Sequence, residues 1–350
     1  MKTKVLPVAR QAVLYRQIAV MLESGVPLNQ TLSIQIRMEK EGPVKEILKQ
    51  AQRYLQNGIH ARQAFEKSGL VTDPLFIQLI EIGEQSGNLG SSFDHIAKTV
   101  EETREFRSKV TQALSYPAVI VSVAVVSVLI MIFFIVPSFA EAYRSMSIEL
   151  PFMTRVMLGI QEFLTRFGLM VLVLLGFSGW FLLKWSRRPS VRPSIEKMMF
   201  SIPFLGEFWK MKMNYEFCVG LSLLLGDGVP LLKSIQLIGR HTGSVLFSRQ
   251  VTGFVSGLES GKRLSGLMDA NSIVSPIVQQ MIMVGEETSE LPRLLGRASG
   301  LIKNDLDTRL KVMVSLLEPI LIVVMGIVVG ILLVSMYLPL FESMSQVGGK

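Results

Sequence analysis

The sequence predicts an all-α membrane protein: two repeated cytoplasmic helical bundles of about six helices each, with three transmembrane helices. Three observations predict it. Three long apolar runs carry no charge; two segments about 200 residues apart match in register; and apolar residues outside the runs recur at helical spacing, with few strand signals. Charged residues make up only 18% of the 350, hydrophobic residues 49%, and mean hydropathy is +0.42, which excludes a purely soluble or disordered chain.

The first run, residues 118–136, contains no charge and only two serines, Ser122 and Ser127. Nineteen helical residues extend roughly 29 Å, about one hydrocarbon core. The second run lies between Arg166 and Lys184, with Trp180 and Trp185 near its end. It is short for a span, but Lys184 can snorkel to lengthen it. The third runs from Pro319 to Phe341, uncharged between Glu318 and Glu342.

Basic residues set the orientation. Arg104, Arg107 and Lys109 precede the first run; Lys184, Arg187, Arg188, Arg192 and Lys197 follow the second; Lys303, Arg309 and Lys311 precede the third. The positive-inside rule then gives a cytoplasmic domain at 1–116, a span at 117–137 and a short periplasmic loop at 138–166. A span at 167–185, a second cytoplasmic domain at 186–318, a span at 319–340 and a periplasmic tail at 341–350 complete the chain. The N-terminus is basic but lacks an uninterrupted apolar core, so no cleavable signal peptide is expected. The net charge of +8 belongs to these cytoplasmic flanks, and no nucleic-acid partner is expected.

The repeat holds register over most of the chain. At an offset of 203, Leu22, Gly25, Val26, Pro27, Leu28, Leu55 and Gly58 meet Leu225, Gly228, Val229, Pro230, Leu231, Leu258 and Gly261. One deletion later, Gly83, Glu84 and Leu89 meet Gly285, Glu286 and Leu291, and Pro117 meets Pro319. Two copies facing the same way each enter the membrane from inside, so a return span must connect them. The second run supplies it.

Chemistry-bearing motifs are few. The nearest approach to a phosphate loop, Gly257 to Arg263, has the wrong glycine spacing and no Ser or Thr after Lys262. If ATP drives the protein's task, a partner hydrolyses it. His60, His95 and His241 stand in unrelated contexts, and Cys218 aligns with Tyr15 as a packing residue. No catalytic residue, cofactor or metal is expected, and the chain reads as no enzyme.

What remains is structural punctuation. Gly25 with Pro27, and Gly228 with Pro230, stop a helix in each copy. Pro117 and Pro319 sit where cytoplasmic helix meets span and can kink that junction. Gly326 and Gly330 form a GxxxG pattern that permits close helix packing. Gly83-Glu84-Gln85-Ser86-Gly87 and Gly285-Glu286-Glu287-Thr288-Ser289 read as a helix end followed by a turn. The recurring glutamate either holds the turn by accepting amide hydrogens or meets a partner or cation. The sequence leaves both open.

At these residues the chain resembles the type II secretion F / type IV pilus C family of inner-membrane platform proteins. QIAVMLESGVPL and GLSLLLGDGVPL, GEQSGNL and GEETSEL, YPAVI and EPILI, ELPFMT and IPFLGEF carry the likeness. The resemblance implies a non-enzymatic platform in the bacterial inner membrane. It also implies contacts with a cytoplasmic hexameric assembly ATPase, with prepilin or pseudopilin subunits, with other inner-membrane assembly proteins and the lipid bilayer, and a homo-oligomer. Ser289 departs from the family pattern, which has glycine there, and weakens any role for the second turn. The chain also starts almost at the first domain, without the longer amino-terminal stretch of many members, which is expected of a type IVb pilus or divergent branch. A rival of another class, a transporter or permease subunit with parallel internal repeats, conflicts with membrane runs that carry no ionisable residue.

Overall fold

Glycine and proline place the helix ends, and they place them twice. The computed structural model describes residues 6–145, 152–186, 191–241, 243–268 and 272–347. The first copy consists of α1 (Val8–Glu23), α2 (Leu28–Met38), α3 (Pro43–Gln56), α4 (Ala61–Ser68), α5 (Pro74–Gln85) and α6 (Leu89–Ile130). A π-helical turn, Met131–Ile135, leads into α7 (Val136–Ser145); α8 (Phe152–Ser186) and α9 (Arg192–Ser201) follow. The second copy is α10 (Leu205–Gly226), α11 (Leu231–His241), α12 (Val245–Glu259), a 3-10 turn (Ser265–Leu267), α13 (Pro276–Thr288) and α14 (Leu291–Val347). The described counterpart of α4 is that single turn; residues 269–271, beyond it, lie outside the described residues.

The repeat extends to backbone angles. Gly25 and Gly228 have φ of +81° and +82°, and Gly58 and Gly261 both have +77°. Each sits just past a helix end, where the next amide reaches back over the last turn: Val26 N–H to Met21 O at 3.0 Å, Val229 N–H to Leu224 O at 2.9 Å. This closure needs the left-handed conformation that only glycine adopts without strain. The loop that resembled a phosphate cradle is another such closure, with Lys262 N–H donating to Gly257 O at 3.0 Å.

The chain divides into two compact units. One joins Met1–Lys109 with Pro193–Arg309, and the other joins Val110–Arg192 with Leu310–Lys350.

In the first unit the two bundles share one apolar core. It runs through Leu14, Ile18 and Leu75 of the first copy to Phe217, Leu221 and Ile238 of the second. Core volume is distributed differently in each. Phe93 packs edge-on against Tyr15 and Phe65 in the first copy, while Phe217 packs against Phe247 in the second, with ring centroids 5.7–6.3 Å apart. Cys218 stands where the first copy has Tyr15, so sequence drifts while filled volume persists. Burial pushes the Cys218 thiol up to about 12, leaving little thiolate at neutral pH. We expect maleimide to spare Cys218 in the folded chain and label it after denaturation. Labelling of the native chain would place Cys218 outside a packed core.

In the second unit, three helices are long and apolar enough to cross a membrane, two of them being the later parts of α6 and α14. Their side chains face outward, as lipid contact requires: Val119 is 61% exposed, Leu169 82% and Ile322 63%. The segment expected as a loop at 138–166 is largely helical where it is described, because α7 extends to Ser145 and α8 begins at Phe152. Pro117 and Pro319 lie inside α6 and α14, which run on through them. Each proline removes one amide donor from its helix. Tyr116 donates to Glu318 Oε1 at 3.2 Å, and these are equivalent positions of the two copies. A cavity of about 250 Å3 lies beside this pair, lined by Pro117, Ile120, Lys311 and Leu321.

Candidate functional site

The glutamate corners are built from the close approach of two helices. Gly83 and Gly285 are not turn residues: they lie in the last turns of α5 and α13. A Cβ on Gly83 would come 2.9 Å from Ser92 Cβ, and one on Gly285 would come 2.9 Å from Leu291 Cα. Helices α6 and α14 therefore start against a bare stretch of the preceding helix. The turn glycine is Gly87, with φ +72°, and Asn88 N–H closes back onto Gly83 O at 2.7 Å. In the second copy Ser289 takes the same left-handed position, with φ +59°.

A serine held there is strained by about 1 kcal/mol relative to glycine. Ser289→Gly is expected to raise the unfolding free energy by about 0.5–1 kcal/mol, measured by denaturant titration. No gain would mean the serine hydroxyl has a compensating role.

Both glutamates accept amide hydrogens, though not from their own turn. Glu84 Oε1 takes Ala61 N–H at 2.8 Å and Glu84 Oε2 takes Arg62 N–H at 3.4 Å, at the start of α4. His60 Nδ1 stands 3.3 Å from the same carboxylate. Glu286 takes Leu264 N–H at 2.6 Å and Ser265 N–H at 3.0 Å, and the Ser265 hydroxyl also donates to it. Each carboxylate thus caps, from across the bundle, the first turn after the Gly58 or Gly261 closure. Unpaired amides and the positive end of a helix favour an anion there. Despite the altered residue at 289, the second corner is at least as well bonded as the first. A third cap, Glu196 of α9, accepts from Val245 N–H at 3.0 Å and Leu246 N–H at 3.1 Å.

The helix stops act as spacers. Pro27 directly precedes α2, Pro230 directly precedes α11, and Gly25 and Gly228 have open space where a Cβ would go. Gly326 and Gly330 also meet nothing within 4 Å among the described residues, so no described helix of this chain uses their bare surface.

A set of polar contacts that the repeat does not reveal joins the copies inside the first unit. Tyr215 donates to Glu102 Oε2 at 2.5 Å, and Lys303 Nζ is 3.2 Å from Glu102 Oε1. Lys109 pairs with Asp307 at 2.7 Å, and Phe106 stacks on Phe208 at 6.1 Å. Burial, then the Glu102 contact, pushes the Tyr215 hydroxyl above its ordinary range, so it remains a donor. Glu102, Phe106, Lys109, Tyr215, Lys303 and Asp307 line a cavity of about 350 Å3 between the copies. Glu102 and Tyr215 align with Asn304 and Ala12, so no internal symmetry could have flagged them.

Two helical bundles fused through one core, each continued by an apolar helix, define a polytopic membrane protein of tandem bundle-plus-span repeats. The chain belongs to the family described as type II secretion system (T2SS), protein F, whose model matches residues 14–137 and 217–339. The two matches keep the register of the internal repeat. Among its relatives are the type IV pilus assembly protein TapC of Aeromonas hydrophila, 29% identical over 96% of this chain and 82% of the relative. The type IV pilus assembly protein PilC of Pseudomonas aeruginosa is 27% identical over 96% and 90%. The type II secretion system protein F of Aeromonas hydrophila is 25% identical over 95% and 85%.

Proposed function

We propose that this chain is the non-enzymatic inner-membrane platform of a type IV pilus or type II secretion machine. It couples a cytoplasmic hexameric assembly ATPase to the extraction and polymerisation of pilin-like subunits. The names of its relatives support the machine, and one observation carries the coupling. Helices α6 and α14 each start at a glutamate corner in the shared core and continue without a break into an apolar stretch. A push on the corners travels along a continuous helix instead of being lost in a loop. The bundles face the cytoplasm and the C-terminus faces the periplasm, with the domains bounded as the apolar runs and basic flanks indicate. Prepilins or pseudopilins and other inner-membrane assembly proteins are the remaining partners, and the platform works as a homo-oligomer.

Loss of the gene is expected to abolish surface pili or pseudopilus-dependent secretion, with restoration by the intact chain. Normal assembly combined with loss of a solute's uptake would overturn the reading in favour of a permease. Reporter fusions at residues 150 and 345 are expected to behave as external, and a fusion at 250 as internal. An internal reading at 345 would contradict the orientation.

A further inference from the structure

The corner between α9 and α10 exposes more apolar surface than a water-facing bundle normally leaves uncovered. Met198 is 64% exposed, Phe204 62%, and Ile202, Leu205 and Trp209 between 36% and 41%. Scattered apolar residues need no explanation, but these occur together within twelve residues, around one bend. The bend is also strained. Phe204 has φ +66°, one of two positive values among the non-glycine residues described, and the other, Ser289, is a small polar residue. A bulky aromatic in that region is held there at a cost of order 1–3 kcal/mol. Gly206 lets the bend close: a Cβ on it would come 2.9 Å from Phe200 Cα. The result is a tight, strained turn whose aromatic side chain faces out instead of into the core.

Lysines flank the patch on both sides. Lys197 and Lys210 are exposed, Lys210 Nζ lies 5.9 Å from the centroid of the Phe200 ring, and Lys212 Nζ lies 5.5 Å from that of Trp209. Of the acidic side chains nearby, Glu196 caps α12, Glu216 pairs with Lys212, and Glu207, exposed within the segment, pairs with Arg309, which leaves Lys197 and Lys210 as the lysines that flank the patch. Apolar and aromatic side chains rimmed by lysines match the chemistry of an anionic membrane surface. Chain length adds an independent constraint. Helix α8 ends at Ser186 with Trp180, Lys184 and Trp185, the residue types of a membrane interface, and α9 begins at Arg192. So few residues can reach at most roughly 20 Å even when fully extended.

We propose that the segment from Met198 to Trp209 is an interfacial anchor that inserts Phe204 and its apolar neighbours into the cytoplasmic leaflet. Lys197 and Lys210 contact anionic headgroups. The occupant of this surface is lipid, not a protein partner, and the strain at Phe204 is retained because it aims that ring at the bilayer.

The test uses the full chain reconstituted in phosphatidylethanolamine–phosphatidylglycerol vesicles whose acyl chains are brominated near the headgroup. Trp180→Phe and Trp185→Phe leave Trp209 as the sole tryptophan. Its emission is expected to fall by about half or more relative to unbrominated vesicles, as for a ring at the acyl boundary. The comparison chain carries Trp180→Phe, Trp185→Phe, Trp209→Phe and Met38→Trp, placing its sole tryptophan at a position also 64% exposed in the same unit. That emission is expected to fall by less than about a tenth, as for a ring in water. Equal quenching at the two positions, or none at either, would overturn the anchor. Phe204→Asp is expected to reduce quenching of Trp209, with maleimide protection of Cys218 reporting that the core is intact. Unchanged quenching in that variant with Cys218 protected would also overturn it.

Discussion

Alanine at Gly285 is expected to destabilise the first unit by about 2–3 kcal/mol, because the added Cβ has nowhere to go. It would meet Leu291 Cδ1 at 2.8 Å and Leu291 Cα at 2.9 Å, so the backbone at the start of α14 must move. Gly83→Ala meets Ser92 Oγ, which can rotate away, but also Ser92 Cβ at 2.9 Å, which is fixed to the backbone of α6, and Asn88 O at 3.1 Å. Its expected cost is similar, about 2 kcal/mol. For a body of this size the first change corresponds to a fall in Tm of about 4–10 °C, readable as the temperature at which Cys218 becomes maleimide-reactive. Unchanged Tm for Gly285→Ala would mean that the two helices do not approach as closely as described.

Removal of the capping carboxylates has the second large effect. Hydrogen bonds to a charged group contribute about 1.5–3 kcal/mol, and a helix amino-terminal anion adds a few tenths. Glu286→Ala strips two amides and a hydroxyl of their acceptor and is expected to cost about 2–3 kcal/mol. Glu84→Ala, whose second amide contact is 3.4 Å long, is expected to cost about 1–2 kcal/mol. The glutamine variants keep an acceptor oxygen and should recover about half of each loss. Stability and assembly output must be measured together. If the carboxylates only cap, adding Ser289→Gly to Glu286→Ala recovers about 0.5–1 kcal/mol of the lost stability, and output rises in parallel. A gain in stability with no gain in output would mean that the corners also meet a partner.

Different parts of this molecule were legible to different degrees. The apolar runs identified the spans because hydrocarbon tolerates no charge over its full thickness. The repeat predicted paired helix stops, and these recur with matching φ because only glycine takes that conformation freely. Gly83 and Gly285 were harder: glycines near a helix end suggest a turn, and only the crossing of a second helix reveals them as contact points. The acceptor role of Glu84 was one of two open readings, but its donors lie more than 20 residues away in sequence, beyond any local pattern. The Glu102–Tyr215–Lys303 contacts were illegible, since they pair positions with no repeat relation. Strain at Phe204 was equally hidden, because IPFLGEF gives no sign of a positive φ.

On the proposed function, the chain transmits work done by an ATPase without doing chemistry itself. The most direct measurement is the ATP hydrolysis rate of the cognate assembly ATPase, alone and with the full chain reconstituted in lipid. The chain alone should hydrolyse nothing, should change the ATPase rate when added, and should lose that effect with Glu84→Ala and Glu286→Ala at normal Cys218 protection. Hydrolysis by the chain alone, or an ATPase rate indifferent to its presence, would contradict the account.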